Sequence, residues 1–330
     1  MSLLIDRYDC ALFDLDGVVY LGPEAVVGAP EGIAELRRLG KKIGFVTNNS
    51  GRSPETVMDQ LNGMNVSCNL EDVATSGQAS QRMLQKALQP GSKVLVCGAA
   101  ALDDKVREAG FEVVKTYDEC PDAVICGYNP KMRWELVDEA AIAVQNGVAW
   151  FASNPDPTRP TNRGIVPGAG GVLALISLCA PDKEPEIAGK PYRPLLDYTI
   201  ERLGVRSPIF VGDRLDTDIE GAYNVGIDSF MVFTGTHGKR DVIYAEPHQR
   251  PTYIGADICS MSQPARIAQI DEGRATCGEA IVQVADGKLV AEHISAGYEG
   301  QLDALWAGCQ LAWANDVDGE EFLAVLDELH

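Results

Sequence analysis

Basic residues are scarce in this chain. Against 48 Asp and Glu it sets only 28 Lys and Arg, a formal charge of -20 over 330 residues. Such a surface repels phosphate backbones and anionic headgroups at long range, which argues against nucleic acid or an anionic membrane as partner. Any phosphate handled here must be held locally, by a metal ion, a placed lysine or backbone amides. Long apolar runs are also missing: the longest, from Gly171 to Ala180, is about half of the ~20 residues that span a bilayer. The N-terminal Leu3-Leu4-Ile5 gives way at once to Asp6 and Arg7, without the apolar stretch of a signal peptide, so a soluble, cytoplasmic protein is expected. The 9 cysteines are odd in number, scattered and without a CxxC pair, which excludes the usual zinc and redox spacings and reads as reduced thiols. Histidine is rarer still: His237, His248, His293 and His330 all fall in the last third of the chain, outside the polar clusters described below.

What is present is a large apolar fraction, 45%, enough for a globular protein of two or three domains. The first part alternates strand and helix. A buried strand Ala11-Leu12-Phe13 is followed by a helix from Pro30 to Leu39 that Gly40 stops, a strand Ile43 to Val46, and a helix that Ser53-Pro54-Glu55 opens and Gly63 ends. The middle repeats this grammar with strands at Val94–Val96, Phe111–Val114, Ala123–Ile125 and Val148–Phe151. A Pro- and Gly-rich loop, Ser153 to Gly171, leads into an apolar helix, after which short strands return at Glu186–Ala188 and Ile209–Val211. The glycines of Pro167-Gly168-Ala169-Gly170-Gly171 lack the Gly-Lys-Ser/Thr ending of a P-loop and read as a turn feeding that helix. Strand, helix and strand joined by short connections make an α/β fold with parallel sheets.

Four polar clusters each follow an apolar strand: Asp14-Leu15-Asp16-Gly17, Thr47-Asn48-Asn49, Gly189-Lys190-Pro191 and Gly212-Asp213-Arg214-Leu215-Asp216-Thr217-Asp218. Ligands of open α/β sheets bind outside the carboxyl ends of the strands, so the four are expected to converge. Carboxylates crowded in this way repel unless a hard cation sits among them, and Mg²⁺ suits a few carboxylate or carbonyl oxygens. One carboxylate can then attack phosphorus while the lysine and Thr47 hold phosphoryl oxygens. Residues two apart on an extended segment share a face, so Asp14 is read as the nucleophile and Asp16 as the acid and base beside it.

In order and wording these clusters match the four motifs of the haloacid-dehalogenase superfamily, and they more narrowly resemble its NagD-like, nitrophenylphosphatase branch, which includes phosphoglycolate and glycerol-3-phosphate phosphatases. The match covers about residues 8 to 260. The resemblance implies a Rossmann-like core at 1–76 and 185–262 with a large α/β cap inserted at 77–184. It implies Mg²⁺ on Asp14, the backbone carbonyl of Asp16 and Asp213, with Asp218 supporting the metal's waters, and phosphate contacts from Thr47, Asn48, Asn49 and Lys190. In the cap, Ser153 to Pro160 looks like the loop that relatives lower over substrate, with Arg159 at the specificity position or else bracing the loop.

From Pro264 the character changes. A hairpin is expected around Asp286-Gly287, then two amphipathic helices carrying Leu302, Leu305, Trp306, Cys309 and Phe322, Val325, Leu326, Leu329. This α+β region, 263–330, resembles the acetyltransferase-like appendage of some bacterial glycerol-3-phosphate phosphatases. From Ala275 to His330 it holds 11 acids and one base, Lys288, which suits coenzyme A poorly, so it is expected to be non-catalytic.

The sequence therefore predicts a phosphoric monoester hydrolase acting on a small phosphorylated metabolite, glycerol 3-phosphate first, with 2-phosphoglycolate, pyridoxal phosphate, nucleotides and sugar phosphates behind it. A homo-oligomer stays open. A dehalogenase loses because it needs no second acid at Asp16. A phospho-accepting receiver or silent binding module, the rival from another class, lacks an inserted cap.

Overall fold

A computed structural model of the chain describes residues 2–161, 163–315 and 317–326, and the side chains of Pro160 and Thr161 are not among those described. The expected helical position Leu329, and His330 of the four histidines, lie outside the described residues. Contacts divide the chain into two compact units, Met1–Ile43 with Met64–Ser67 and Val205–His330, and Gly44–Gly63 with Cys68–Gly204.

In the first unit the strand Cys10–Phe13 is apolar throughout and fully buried, as a strand covered on both faces of a parallel sheet must be. It pairs in parallel with Pro208–Gly212, which pairs with Asp228–Val232, and that strand with Tyr253–Gly255. The helix Ala29–Arg38 has Pro30 in its first turn, buries Ile33 and Leu36, and is followed by Gly40 in the left-handed region at φ 77°. Beyond it Lys42 N donates to Asp9 O at 3.1 Å, and the strand Lys42–Thr47 runs on from there into the second unit.

The C-terminal part of this unit is an antiparallel sheet of four strands, Gln269–Asp271, Arg274–Cys277, Ala280–Ala285 and Lys288–His293. Asp286 and Gly287 turn its last hairpin with φ of 49° and 74°, the doubly left-handed turn that matches strand twist. The long helix Tyr298–Ala314 packs on the sheet. One apolar core runs from Leu215, Met231 and Ile243 through Val282 and Leu289 to Leu305, Trp306 and Phe322. The second terminal helix is a single turn, Glu320–Leu323. Past it Val325 N and Leu326 N reach back only three residues, to Phe322 O and Leu323 O, a tightening that buries Leu326 and leaves Val325 outside.

In the second unit the strand from Lys42 pairs with Val73–Thr75, and Thr75 caps the helix Ser76–Ala87 by exchanging hydrogen bonds with Gln78. Five further parallel strands stand in the order Glu186–Ile187, Ala149–Ala152, Ala123–Cys126, Lys93–Cys97, Glu112–Val114. The Pro- and Gly-rich segment holds a hairpin that composition hid, Thr158–Thr161 against Gly164–Pro167. Its glycines serve packing: a Cβ on Gly168 would sit 2.3 Å from Asp156 O, and one on Gly170 2.2 Å from Pro155 O. They feed the helix Ala169–Cys179. Among the described residues no helix is long and apolar enough to cross a membrane.

Candidate active site

Asp14 and Asp213 stand one step past the ends of two neighbouring strands, and Asp14 N is tied to Val211 O at 2.9 Å. Asp218 comes back to them on the single wide turn Leu215–Ile219. A carboxylate oxygen from each of the three lies within 4.8 Å of the others, with Asp14 9%, Asp213 1% and Asp218 0% exposed. Three carboxylates gathered this closely repel one another, and a cation among them relieves that repulsion.

Backbone amides hold them in place. Asp218 Oδ2 accepts Asp213 N at 3.2 Å and Arg214 N at 3.1 Å, and Asp213 Oδ2 accepts Thr236 N at 2.6 Å. Glycine makes the close approach possible. A Cβ on Gly17 would lie 2.4 Å from Asp213 Oδ2, one on Gly235 2.0 Å from the same atom, and one on Gly212 2.2 Å from the Cβ of Asp218. This all-oxygen, glycine-walled cradle fits a hard divalent cation.

Asp16 differs from its neighbour. It is exposed, because Leu15 between them points into the core while Gly17 N turns to Tyr20 O at 2.9 Å. Asp216 lies to one side. Burial alone would push its carboxyl up, but the Arg214 guanidinium at 2.7 and 3.0 Å overrides this and holds it below the usual carboxylate range.

One loop escaped the sequence reading. After the strand Asp228–Val232 the chain runs Phe233-Thr234-Gly235-Thr236-His237-Gly238 around Asp213. Thr234 Oγ1 donates to Gly17 O at 2.6 Å, His237 N donates to Asp213 O at 3.2 Å, and His237 Nδ1 accepts Leu215 N at 2.8 Å. Histidine therefore does belong to this site's surroundings, its ring nitrogen accepting one backbone N–H and its own backbone N–H bonding Asp213 O. The signal was available, since this is a fifth polar stretch directly after an apolar strand.

The second unit gathers another group. Thr47 ends its strand, buried, and its Oγ1 accepts Asn49 N at 3.1 Å; Asn49 Oδ1 in turn accepts Gly51 N at 2.9 Å. Asn48 Oδ1 accepts Lys190 N at 2.8 Å, while its Nδ2 donates to Lys190 O and to Asp156 Oδ1, both at 3.0 Å. Lys190 is 2% exposed. Asn154, also buried, donates to Asn48 O at 2.7 Å, which makes Asn154 and Asp156 members of this group that the motifs did not single out. Arg159 is exposed on its hairpin, its guanidinium carbon 4.6 Å from the centre of the Tyr128 ring.

Comparison with known proteins places the chain in a family. Residues 11–112 match the model of haloacid dehalogenase-like hydrolases, and residues 187–261 match a second model of HAD-hydrolase-like proteins. The chain is 39% identical over 297 residues to the D-glycerol 3-phosphate phosphatase of Mycobacterium tuberculosis, covering 88% of this chain and 82% of that protein. It is 34% identical over 254 residues to an acid sugar phosphatase of Staphylococcus aureus, covering 76% and 96%. Among solved structures, the Mycobacterium tuberculosis glycerol phosphate phosphatase in complex with magnesium superposes with a TM-score of 0.88 at 35% identity, over 99% of this chain and 98% of that one. That coverage runs through the C-terminal region. A p-nitrophenyl phosphatase from Archaeoglobus fulgidus gives a TM-score of 0.72 at 27% identity over 78% of this chain and 98% of its own. With the motifs, the parallel sheets and these relatives in agreement, the chain belongs to the haloacid dehalogenase-like hydrolases.

Proposed function

We propose that this hydrolase is a phosphatase of small phosphate monoesters, with glycerol 3-phosphate as first substrate and Asp14 as the residue that becomes phosphorylated. The observation that carries the reading is the convergence of Asp14, Asp213 and Asp218 within 4.8 Å. Mg²⁺ is the cation proposed, held by Asp14, the backbone carbonyl of Asp16 and Asp213, with Asp218 supporting its waters. When bound, it neutralises the crowded carboxylates and the charge that builds up on the phosphoryl group.

The chain's own residues then divide the work. The Asp14 carboxylate attacks phosphorus and the ester P–O bond breaks. Asp16 gives its proton to the departing alkoxide, which leaves as glycerol. In the second half Asp16, now a carboxylate, takes a proton from water as the water oxygen attacks the aspartyl-phosphate. The bond from Asp14 to phosphorus breaks, phosphate leaves, and both acids return to their starting states. Exposure of Asp16 suits this exchange of protons with leaving group and water, and burial of Asp14 suits a nucleophile that must be kept dry. Thr47, Asn48, Asn49 and Lys190 form the phosphate grip, Asn48 by setting Lys190 in place.

Residues 77–184 are proposed as the cap, with Arg159 in its loop as the residue that reads the leaving group, and residues 1–76 with 185–262 as the core. The acidic C-terminal region is proposed to do no acetyl transfer. A cytoplasmic location and self-association remain parts of the same proposal. Phosphate release by the purified protein from a panel of monoesters, with and without Mg²⁺, tests the whole. Highest kcat/KM is expected for glycerol 3-phosphate, and a preference for 2-phosphoglycolate or pyridoxal phosphate would move the substrate while keeping the chemistry.

A further inference from the structure

The loop that grips Asp213 does not end on its own. Thr236 and His237, whose amides bond that residue, run through Gly238 directly into the short helix Lys239–Ile243. That helix is held by the C-terminal region at each step. Lys239 Nζ donates to the backbone oxygen of Leu326, Arg240 pairs with Glu320, and Tyr244 at its end accepts Gly319 N on its hydroxyl at 3.1 Å and lies 3.4 Å from Asp318 Oδ1. Beneath these polar ties Val242 and Ile243 are buried in the apolar core that includes Leu289, Leu302 and Phe322. Gly319 packs so closely that a Cβ there would be 3.0 Å from the Ile243 side chain.

We propose that the C-terminal sheet and helix act as a brace for the 234–238 loop, and through it for Asp213, with Tyr244 as the positioning residue at the joint. The mechanical logic is short. A loop of five residues spans too little chain to absorb a shift of the helix it enters, so loosening the helix must loosen the two amides that hold Asp213, Thr236 N on its carboxylate and His237 N on its backbone carbonyl. Partners that orient a metal's ligands commonly change affinity by about 10- to 100-fold when lost. This gives an acidic appendage without a reaction of its own a role in the reaction of the core. As a statement about metal affinity it rests on reading Asp213 as a ligand; as a statement about loop order it does not.

The test uses the full-length chain carrying Tyr244→Phe or Lys239→Met, with Arg274→Gln as control, since the Arg274–Glu292 pair joins two strands of the tail and makes no bond to the short helix. Two quantities are read: Mg²⁺ affinity by calorimetric titration, and amide hydrogen exchange at Thr236 and His237 in metal-free protein. For both joint variants the expected result is about tenfold weaker Mg²⁺ binding and about tenfold faster exchange at those two amides. Excess Mg²⁺ should restore kcat, and the control should match the parent protein. Unchanged affinity and exchange in the joint variants, or the same losses in Arg274→Gln, would overturn the brace. If the parent protein itself bound no Mg²⁺, the metal reading would fail, and exchange alone would still decide the brace.

Discussion

The side-chain amide of Asn48 bonds the backbone of Lys190 in both directions, taking its N–H at 2.8 Å and giving a hydrogen to its carbonyl at 3.0 Å. Residues 142 positions apart in sequence are thereby locked in one orientation, and both are buried. Asn48→Ala would leave a buried N–H and a buried C=O without this partner, at about 1–3 kcal/mol each. Chemical denaturation should show a loss of about 2–4 kcal/mol, and KM should rise about tenfold because the lysine is no longer aimed. A stable variant with unchanged KM would detach Asn48 from the phosphate grip.

Asp14→Asn tests the covalent step. The side chain keeps its shape and the backbone keeps its bond to Val211 O, so the fold should hold, while an amide is a poor nucleophile and a weaker metal donor. Turnover should drop by more than ~10³-fold. Acid-quenched wild-type protein with ³²P-labelled substrate should carry label on Asp14, and the variant should carry none.

Gly235→Ala isolates the metal cradle from the nucleophile. Its Cβ would arrive 2.0 Å from Asp213 Oδ2, so the carboxylate must move or the loop must open. Mg²⁺ affinity should weaken by about 10- to 100-fold with the circular dichroism spectrum unchanged. In the parent protein chelator should abolish turnover and Mg²⁺ restore it. Ca²⁺ should bind but support turnover poorly, because it takes looser and higher coordination than in-line attack requires.

The polar clusters were legible because each is a short polar stretch placed after a strand, and for Asp14, Thr47 and Asp213 that strand is apolar and buried, a contrast that one-dimensional reading detects well. The hairpin Thr158–Thr161 with Gly164–Pro167 was not, since Ile165 is 77% exposed and no apolar alternation marks it. The loop around Asp213 has the same polar-after-apolar signal, but its role was hidden for a different reason: Thr236 and His237 act on Asp213 through backbone N–H groups, which every residue but proline carries. The continuity of the tail with the core was also hidden. Leu302, Leu305 and Phe322 announce a buried face, but sequence does not say that Met231 and Ile243 lie on the other side.

Thiol chemistry gives a prediction independent of catalysis. Cys120 and Cys179 are exposed, whereas burial first and the Asp303 carboxylate second push the Cys277 thiol up to about 12. At pH 8 Cys277 is therefore almost wholly protonated as well as covered. Brief treatment with iodoacetamide followed by mass spectrometry should label Cys120 and Cys179 and leave Cys277 and Cys309 unmodified until the protein is denatured. Early labelling of Cys277 would mean that the seam between the tail and the preceding sheet opens readily.

Selectivity among monoesters cannot come from groups that grip only the phosphoryl part, which every candidate substrate shares. It must come from side chains that meet the leaving group, and a site that hydrogen-bonds a hydroxyl or carboxylate rejects analogues lacking it far better than an apolar pocket does. Arg159 is the side chain to change, and its stacking over Tyr128 sharpens the choice of experiment. If the ring serves to present the guanidinium to a small polar leaving group, Arg159→Ala should lower kcat/KM for glycerol 3-phosphate by about 10- to 100-fold, the loss of a charge-assisted hydrogen bond. Hydrolysis of p-nitrophenyl phosphate, whose leaving group offers no such partner, should change far less. Tyr128→Leu should then show the same selective pattern in weaker form, because the guanidinium loses its platform but not its charge. If instead the pair only ties the hairpin down, both substrates should slow together in both variants. Equal losses, or no loss in either, would remove Arg159 from substrate recognition and leave it as the clasp of its hairpin.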